Sequence, residues 1–221
     1  MDPKNIWITI PELLIWFPLI AGLVAFVIPK EKTVKAWAII ASLITLGISV
    51  TSLVYSDPVK DIYLNNVSYL WLKNIGSNFS LGLDGMGRML TALSALAFPL
   101  IFIATKNNSY KNTNIFYGLM LLTLSGLMGV FLATDILVFY IFWELAVIPA
   151  YFLCSRWGGE KRIAATFKFF VYTFAGSLLM LIGIIYVYQH TPGTELSEHS
   201  FSVKAFYSAT LSATEQNWVF W

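Results

Sequence analysis

The chain has 221 residues, 57% of them hydrophobic and only 12% charged. A soluble domain carries about a quarter charged residues, so this composition cannot clothe a core in a water-facing shell, and the solvent it suits is lipid. The net charge of +2 and the lack of any Lys/Arg-rich run interleaved with aromatics give no footprint for nucleic acid.

A bilayer core takes about 20 apolar residues per helix at ~1.5 Å rise each. Six stretches meet or approach that length. The first runs from Leu13 to Ile28 and stops at Pro29-Lys30-Glu31-Lys32. It has no small-x-small cleavage site and a second span follows at once, so it reads as a retained helix rather than a signal peptide. The second runs from Ala36 to Tyr55 and stops at Asp57-Pro58. A polar insertion from Ser56 to Gly87, with Asn, Ser and Gly turn residues, is expected to cover one membrane face. The third span runs from Met89 to Thr105, the fourth from Ile115 to Ala133, the fifth from Ile136 to Cys154 and the sixth from Ile163 to Tyr188. A further apolar run begins at Trp218. Six such stretches with almost no charge on any face exclude a soluble helical core.

The expected fold class is therefore all-α, a polytopic transmembrane helix bundle with six complete spans and the start of a seventh. Only Thr134 and Asp135 separate spans four and five, which makes those helices antiparallel neighbours. Either residue can cap the fifth helix. Loops after spans one, three and five carry Lys30, Lys32, Lys35, Lys106, Lys111, Arg156, Lys161 and Arg162. The other side has Lys4, Lys60, Lys73, Arg88 and Lys204 spread over longer segments, with acids such as Asp57, Asp61, Glu195 and Glu198. The positive-inside rule puts the short basic loops in the cytoplasm and the N-terminus outside.

The informative residue is Glu144, about ten residues or ~15 Å of helix from either end of its span. A carboxylate at that depth is too short to snorkel to water, so it is paired, hydrated or protonated. It is either a neutral group hydrogen-bonded to a neighbouring helix or part of an ion or proton path, the usual employment of intramembrane acids. Pro149 follows five residues later. It has no amide proton and frees the carbonyl of Leu145, which opens the helix beside the acid for water or merely bends it for packing. Lys168 is the second intramembrane charge, roughly 7–8 Å inside the sixth helix. Its stem can snorkel back to the headgroups. The short Ser155–Arg162 loop also brings it to within ~7 Å of the depth of Glu144, which makes an ion pair available, direct or through water.

No other chemistry is legible. Cys154 is the only cysteine, so the chain holds no internal disulfide and no iron–sulfur ligand set. His190 and His199 share one polar loop without ligand spacing and read as ordinary loop histidines. Gly82-Leu83-Asp84-Gly85-Met86-Gly87 has glycines at the wrong spacing for a phosphate loop, and no strand is expected before it.

The run Phe142-Trp143-Glu144-Leu145 with Ile148-Pro149-Ala150-Tyr151-Phe152-Leu153 resembles the fifth-helix signature of the antiporter-like subunit M (chain 4) family of NADH:quinone oxidoreductase, respiratory complex I. Gly158-Gly159-Glu160-Lys161-Arg162 and Ala164-Ala165-Thr166-Phe167-Lys168-Phe169-Phe170-Val171-Tyr172-Thr173 resemble its sixth-helix signature. Leu81-Gly82-Leu83-Asp84-Gly85 resembles the lead into its third helix. The resemblance implies about fourteen helices in two inverted repeats, of which residues 1–221 are the N-terminal part with the second repeat missing. It implies that protons are driven through this subunit by electron transfer from NADH to quinone elsewhere in the complex. Glu144 matches the family's fifth-helix proton-path glutamate and Lys168 its sixth-helix lysine. No cofactor is then expected in this chain, because NADH, flavin, iron–sulfur clusters and quinone belong to other subunits. The implied partners are the other membrane subunits of complex I and the lipid bilayer, with no nucleic acid, in the bacterial inner membrane. A subunit of a multi-subunit sodium/proton antiporter shares the buried Glu and the following Lys and is the alternative. A non-transporting membrane scaffold is an alternative of another class, one that leaves Glu144 unexplained.

Overall fold

The computed structural model describes residues 9–54, 64–193 and 197–220. Lys4, Asp57, Pro58, Lys60, Asp61 and Glu195, named above, lie outside the described residues. Among the described residues eight α-helices and one hairpin, with a 3-10 turn over Lys73–Ile75 between its strands, follow in order: α1 (Ile10–Val27), α2 (Glu31–Val54), β1 (Leu64–Leu72), β2 (Ser77–Leu83), α3 (Gly85–Thr105), α4 (Thr113–Leu132), α5 (Ile136–Trp157), α6 (Arg162–Tyr188), α7 (Val203–Tyr207) and α8 (Ala213–Phe220). The first six helices, α1 to α6, are long and apolar enough to cross a membrane, and this is a multi-pass membrane protein.

Local chemistry explains where these helices begin. α1 starts three residues before the apolar run proper, because Glu12 accepts hydrogen bonds from the amide and hydroxyl of Thr9, each at 2.8 Å. That reciprocal cap satisfies amides that a helix start otherwise leaves orphaned. α3 is capped by Asp84, whose carboxylate accepts from the Gly87 amide at 2.6 Å. A strand, β2, does precede that glycine-rich stretch, contrary to expectation. The stretch is still no anion cradle, since the Asp84 carboxylate occupies the helix start where a phosphate would sit.

α4 is the hub and packs against α1, α2, α3 and α5. Leu121, Leu124, Met128 and Leu132 of α4 are fully buried with Leu14 and Ile15 of α1 and Phe102 of α3. Lipid tails are as apolar as leucine, so close contact rather than escape from water holds such helices together. Small residues supply it. A methyl on Gly22 of α1 would lie 3.1 Å from the Gly118 carbonyl of α4, and a methyl on Gly126 would lie 2.6 Å from the backbone nitrogen of Ala146 in α5. The buried Ser125 hydroxyl bonds the Ile15 carbonyl at 2.8 Å across the α1–α4 crossing.

Residues 64–83 of the long polar insertion form a hairpin that its turn residues alone did not suggest. β1 and β2 pair antiparallel, with Tyr69 opposite Phe79 and Ser68 opposite Ser80. Gly76 sits at the turn with φ +63, a conformation in which a side chain is strained. The two ends of the bundle sort as the alternating loops require. The hairpin, the Thr134–Asp135 turn and the 197–203 segment meet at one end. The Lys35 ammonium reaches the Asn108 carbonyl, and the Trp157 indole N–H reaches the Lys111 carbonyl, at the other, basic end.

Candidate functional site

α5 carries the site, and its start is anchored by Asp135. The Oδ1 of Asp135 accepts from the amides of Leu137 (3.0 Å) and Val138 (3.3 Å), which is the cap expected from sequence. The same carboxylate also accepts from the Ser77 hydroxyl and the Asn78 amide of β2, each at 3.0 Å. Around it the Thr134 amide bonds the Ser80 carbonyl, the Ile136 amide bonds the Phe201 carbonyl and the Val203 amide bonds the Thr134 carbonyl. The α4–α5 turn is thus pinned as a short rung between the hairpin and the segment before α7. Asp135 is fully buried, and desolvation pushes its carboxyl above the usual carboxylate range against the opposing pull of its four donors.

From that anchor α5 runs unbroken through Glu144 and Pro149 to Trp157. The helix extends one turn beyond Cys154, so Glu144 is not central. It lies ~12 Å of helix from Ile136 and ~20 Å from Trp157. The Oε1 atom of Glu144 is buried, as is the indole nitrogen of Trp143, and neither has a hydrogen-bond partner among the described residues. Buried polar atoms are nearly always paired, so orphaned ones mark a place for water, an ion or a partner group. The backbone just after Glu144 is pressed against α4, where Gly126 meets Leu145 and Ala146. Pro149 is buried one turn further on and offers no amide to the Leu145 carbonyl.

α5 and α6 are neighbours, as the short loop requires. Tyr151 of α5 meets Phe170 of α6 with ring centroids 4.8 Å apart, and Phe170 stacks on Phe174. Thr166 and Ser177 are the buried residues of α6 and share the face of Phe170. Lys168 is two residues from both Thr166 and Phe170, about 200° round the helix, on the opposite face. It is exposed and has no hydrogen bond or ion pair with any described residue. No direct pair joins Lys168 to Glu144. The one ion pair among the described residues is Lys35–Glu31, on the basic end. Depth alone brought the two charges together in the sequence; rotation about the α6 axis separates them.

Neither histidine is placed as a ligand. His190 Nδ1 lies 2.9 Å from the Tyr186 carbonyl and His199 Nδ1 lies 3.1 Å from the Thr191 carbonyl. Among the described residues no group of three or more His, Cys, Asp or Glu is placed to hold a metal.

Six helices long and apolar enough to cross a membrane, the fifth holding an acid with a buried oxygen and a proline, define a polytopic membrane protein. Residues 133–220 match the family described as NADH:quinone oxidoreductase/Mrp antiporter, TM. It is 37% identical over 175 residues to F(420)H(2) dehydrogenase subunit M of Methanosarcina mazei, covering 79% of this chain and 35% of that protein. It is 37% identical over 185 residues to NAD(P)H-quinone oxidoreductase chain 4 of Picosynechococcus sp., covering 82% of this chain and 34% of that protein. The chain therefore spans about a third of the length of the curated relatives it matches. A chain of respiratory complex I from Thermus thermophilus superposes with a TM-score of 0.81 at 24% identity over 96% of this chain and 42% of that one. A chain of the Mrp complex from Dietzia sp. superposes with a TM-score of 0.65 at 18% identity over 80% of this chain and 19% of that one. Both likenesses establish the shared fold.

Proposed function

We propose that this chain is a proton-translocating membrane subunit of an NADH:quinone oxidoreductase-type complex. The observation that carries the reading is the Glu144 carboxylate, held inside a membrane span with a buried, unpartnered oxygen. A fixed charge there is costly, from ~3 kcal/mol upward, and a group that binds and releases a proton in step with hydration avoids holding it permanently. Pro149 supports the reading by denying the Leu145 carbonyl, next to the acid, its usual helical amide partner. In this reading the chain carries no redox chemistry. NADH, flavin, iron–sulfur clusters and quinone reside with other subunits, and those membrane subunits and the lipid are its partners. The subunit sits in the cytoplasmic membrane with its N-terminus outside, as the Lys30–Lys35, Lys106–Lys111 and Arg156–Arg162 clusters favour.

The test is Glu144→Gln in the assembled complex, which keeps size and hydrogen bonding but removes the titratable proton. Assembly is expected to persist while NADH-driven proton translocation falls at least about tenfold, a loss equivalent to ~1.4 kcal/mol or more. Glu144→Asp retains part of the activity. Lys168→Ala does less harm, in keeping with its place on the face turned from α5. Wild-type pumping by the Gln variant would make Glu144 a structural group and sink the proposal.

A second reading, a subunit of a sodium/proton antiporter, is favoured by the Mrp term in the family description and by the fold shared with the Dietzia complex. Sodium-dependent proton exchange in vesicles, without NADH and abolished by Glu144→Gln, selects that reading.

A further inference from the structure

At the basic end of the bundle, α4, α5 and α6 leave a groove between them. It has a volume of about 520 Å³, opens to the surroundings and is lined by Ile115, Leu119, Phe152, Ser155, Arg156 and Ile163. Its walls are apolar over most of their area, and Ser155 and Arg156 are its polar lining residues. Ile115 and Leu119 are one turn apart near the start of α4. Phe152 and Arg156 are one turn apart near the end of α5, and Ile163 opens α6. The groove therefore starts at the membrane surface and runs inward along Leu119 and Phe152.

Arg156 stands at its mouth. The guanidinium lies 5.5 Å from the centroid of the Trp157 ring and has no hydrogen bond or ion pair with any described residue. Trp157 is itself tied by its indole N–H to the Lys111 carbonyl at 3.0 Å, so the ring is a fixed backstop. Lys161 and Arg162 follow within a few residues, and at the start of α6 the Arg162 amide bonds the Gly159 carbonyl at 3.0 Å while no side chain caps the amides that follow. Lys111 precedes α4 on the same face. Against these cations the adjoining loops set only Glu160, since Glu31 is already held by Lys35 at 2.6 Å. Guanidinium and helix-start amides are the donors that phosphate oxygens accept from.

We propose that this groove is a binding site for one anionic phospholipid, with its phosphate on Arg156 and one acyl chain between Leu119 and Phe152. Charge complementarity selects the anionic headgroup, because basic pockets between transmembrane helices bind such headgroups. The apolar length of the groove selects a lipid over a free anion. The site is independent of Glu144 and of any proton path, so its failure leaves that reading untouched.

The experiment is native mass spectrometry of the full assembly released from micelles carrying phosphatidylglycerol or phosphatidylcholine of identical acyl chains. The wild type is expected to retain one more phosphatidylglycerol per chain than Arg156→Gln does, and to show no such excess for phosphatidylcholine. Arg156→Lys keeps part of the retention, since the charge survives without the bidentate fork. Leu119→Trp, which fills the groove and leaves every charge in place, also loses the lipid. Inorganic phosphate at millimolar concentration does not displace it. Equal retention by wild type and Arg156→Gln, equal retention of phosphatidylcholine, or displacement by phosphate alone would each overturn the proposal. Helical circular dichroism unchanged in the Arg156 and Leu119 variants shows that the loss is not unfolding.

Discussion

Two carboxylates at the hairpin end of the bundle, away from the basic loops, illustrate how one residue type takes opposite parts. Asp135 has three donors on one oxygen and one on the other. Asp135→Ala removes them all and leaves the buried Ser77 hydroxyl and the half-buried Asn78 amide without this acceptor. The expected cost is about 2–4 kcal/mol, combining a lost cap with orphaned donors. Asp135→Asn keeps the three-donor oxygen but turns an NH2 toward the Asn78 amide, so about half that loss is expected. Thermal unfolding in detergent ranks the three proteins, and an Asn variant as unstable as Ala contradicts the assignment. Glu215 works in the open. The Ser212 hydroxyl and amide and the Tyr186 hydroxyl donate to it at 2.7–2.9 Å and lower its pKa from 4.5 to about 2. A depressed acid contributes stability above its unfolded value, lost as pH falls from about 4.5 toward 2. Glu215→Gln is therefore expected to show a shallower decline in melting temperature than the wild type over that window. An identical decline removes Glu215 from the account. Glu144 was legible from sequence because a charge in an apolar run is a matter of composition. The rotational position of Lys168 needed the packing face of α6, which Thr166, Phe170 and Ser177 reveal only once contacts are known.

At the scale of elements, α4 sets the spacing of its neighbours through small residues. Gly126 lies against the α5 backbone at Leu145 and Ala146, and Gly129 lies against the Phe142 ring. Gly126→Val must push α5 away next to Glu144. We expect a loss of about 1–3 kcal/mol, the usual cost of overpacking, and lower proton translocation at unchanged expression. Gly47, on α2, has open space where a side chain would go, so Gly47→Val is the matched control and is expected to change stability little. Equal melting temperatures for the two variants would refute the spacing role. The six spans were legible to within a few residues because a bilayer demands length and apolarity. The hairpin was not, although Gly76 and the β-forming run Val67 to Leu72 were in view. A two-stranded hairpin is marginal alone and is held here by Asp135 and by the Phe201 amide, which bonds the Gly76 carbonyl.

For the whole molecule, topology is the open variable with a direct test. Lys32→Cys and Lys161→Cys are expected to react with an impermeant thiol reagent only from the cytoplasmic side, after Cys154→Ser removes the native thiol. Labelling of both from outside would invert the proposed orientation. The sequence by itself determined that six stretches, all among the described residues, are long and apolar enough to span a membrane, that the loops between them alternate between a basic and a less basic side, and that an acid lies deep in the fifth. Each of these depends on composition along the chain, because lipid tolerates only long apolar helices with every backbone group satisfied internally. Tertiary structure alone decided that Asp135 ties three segments together, that α4 is the hub, that Lys168 turns away from Glu144, and that three helix ends leave a groove beside Arg156. These depend on rotation about helix axes and on contacts between segments far apart in the chain, which a one-dimensional pattern of polarity does not encode.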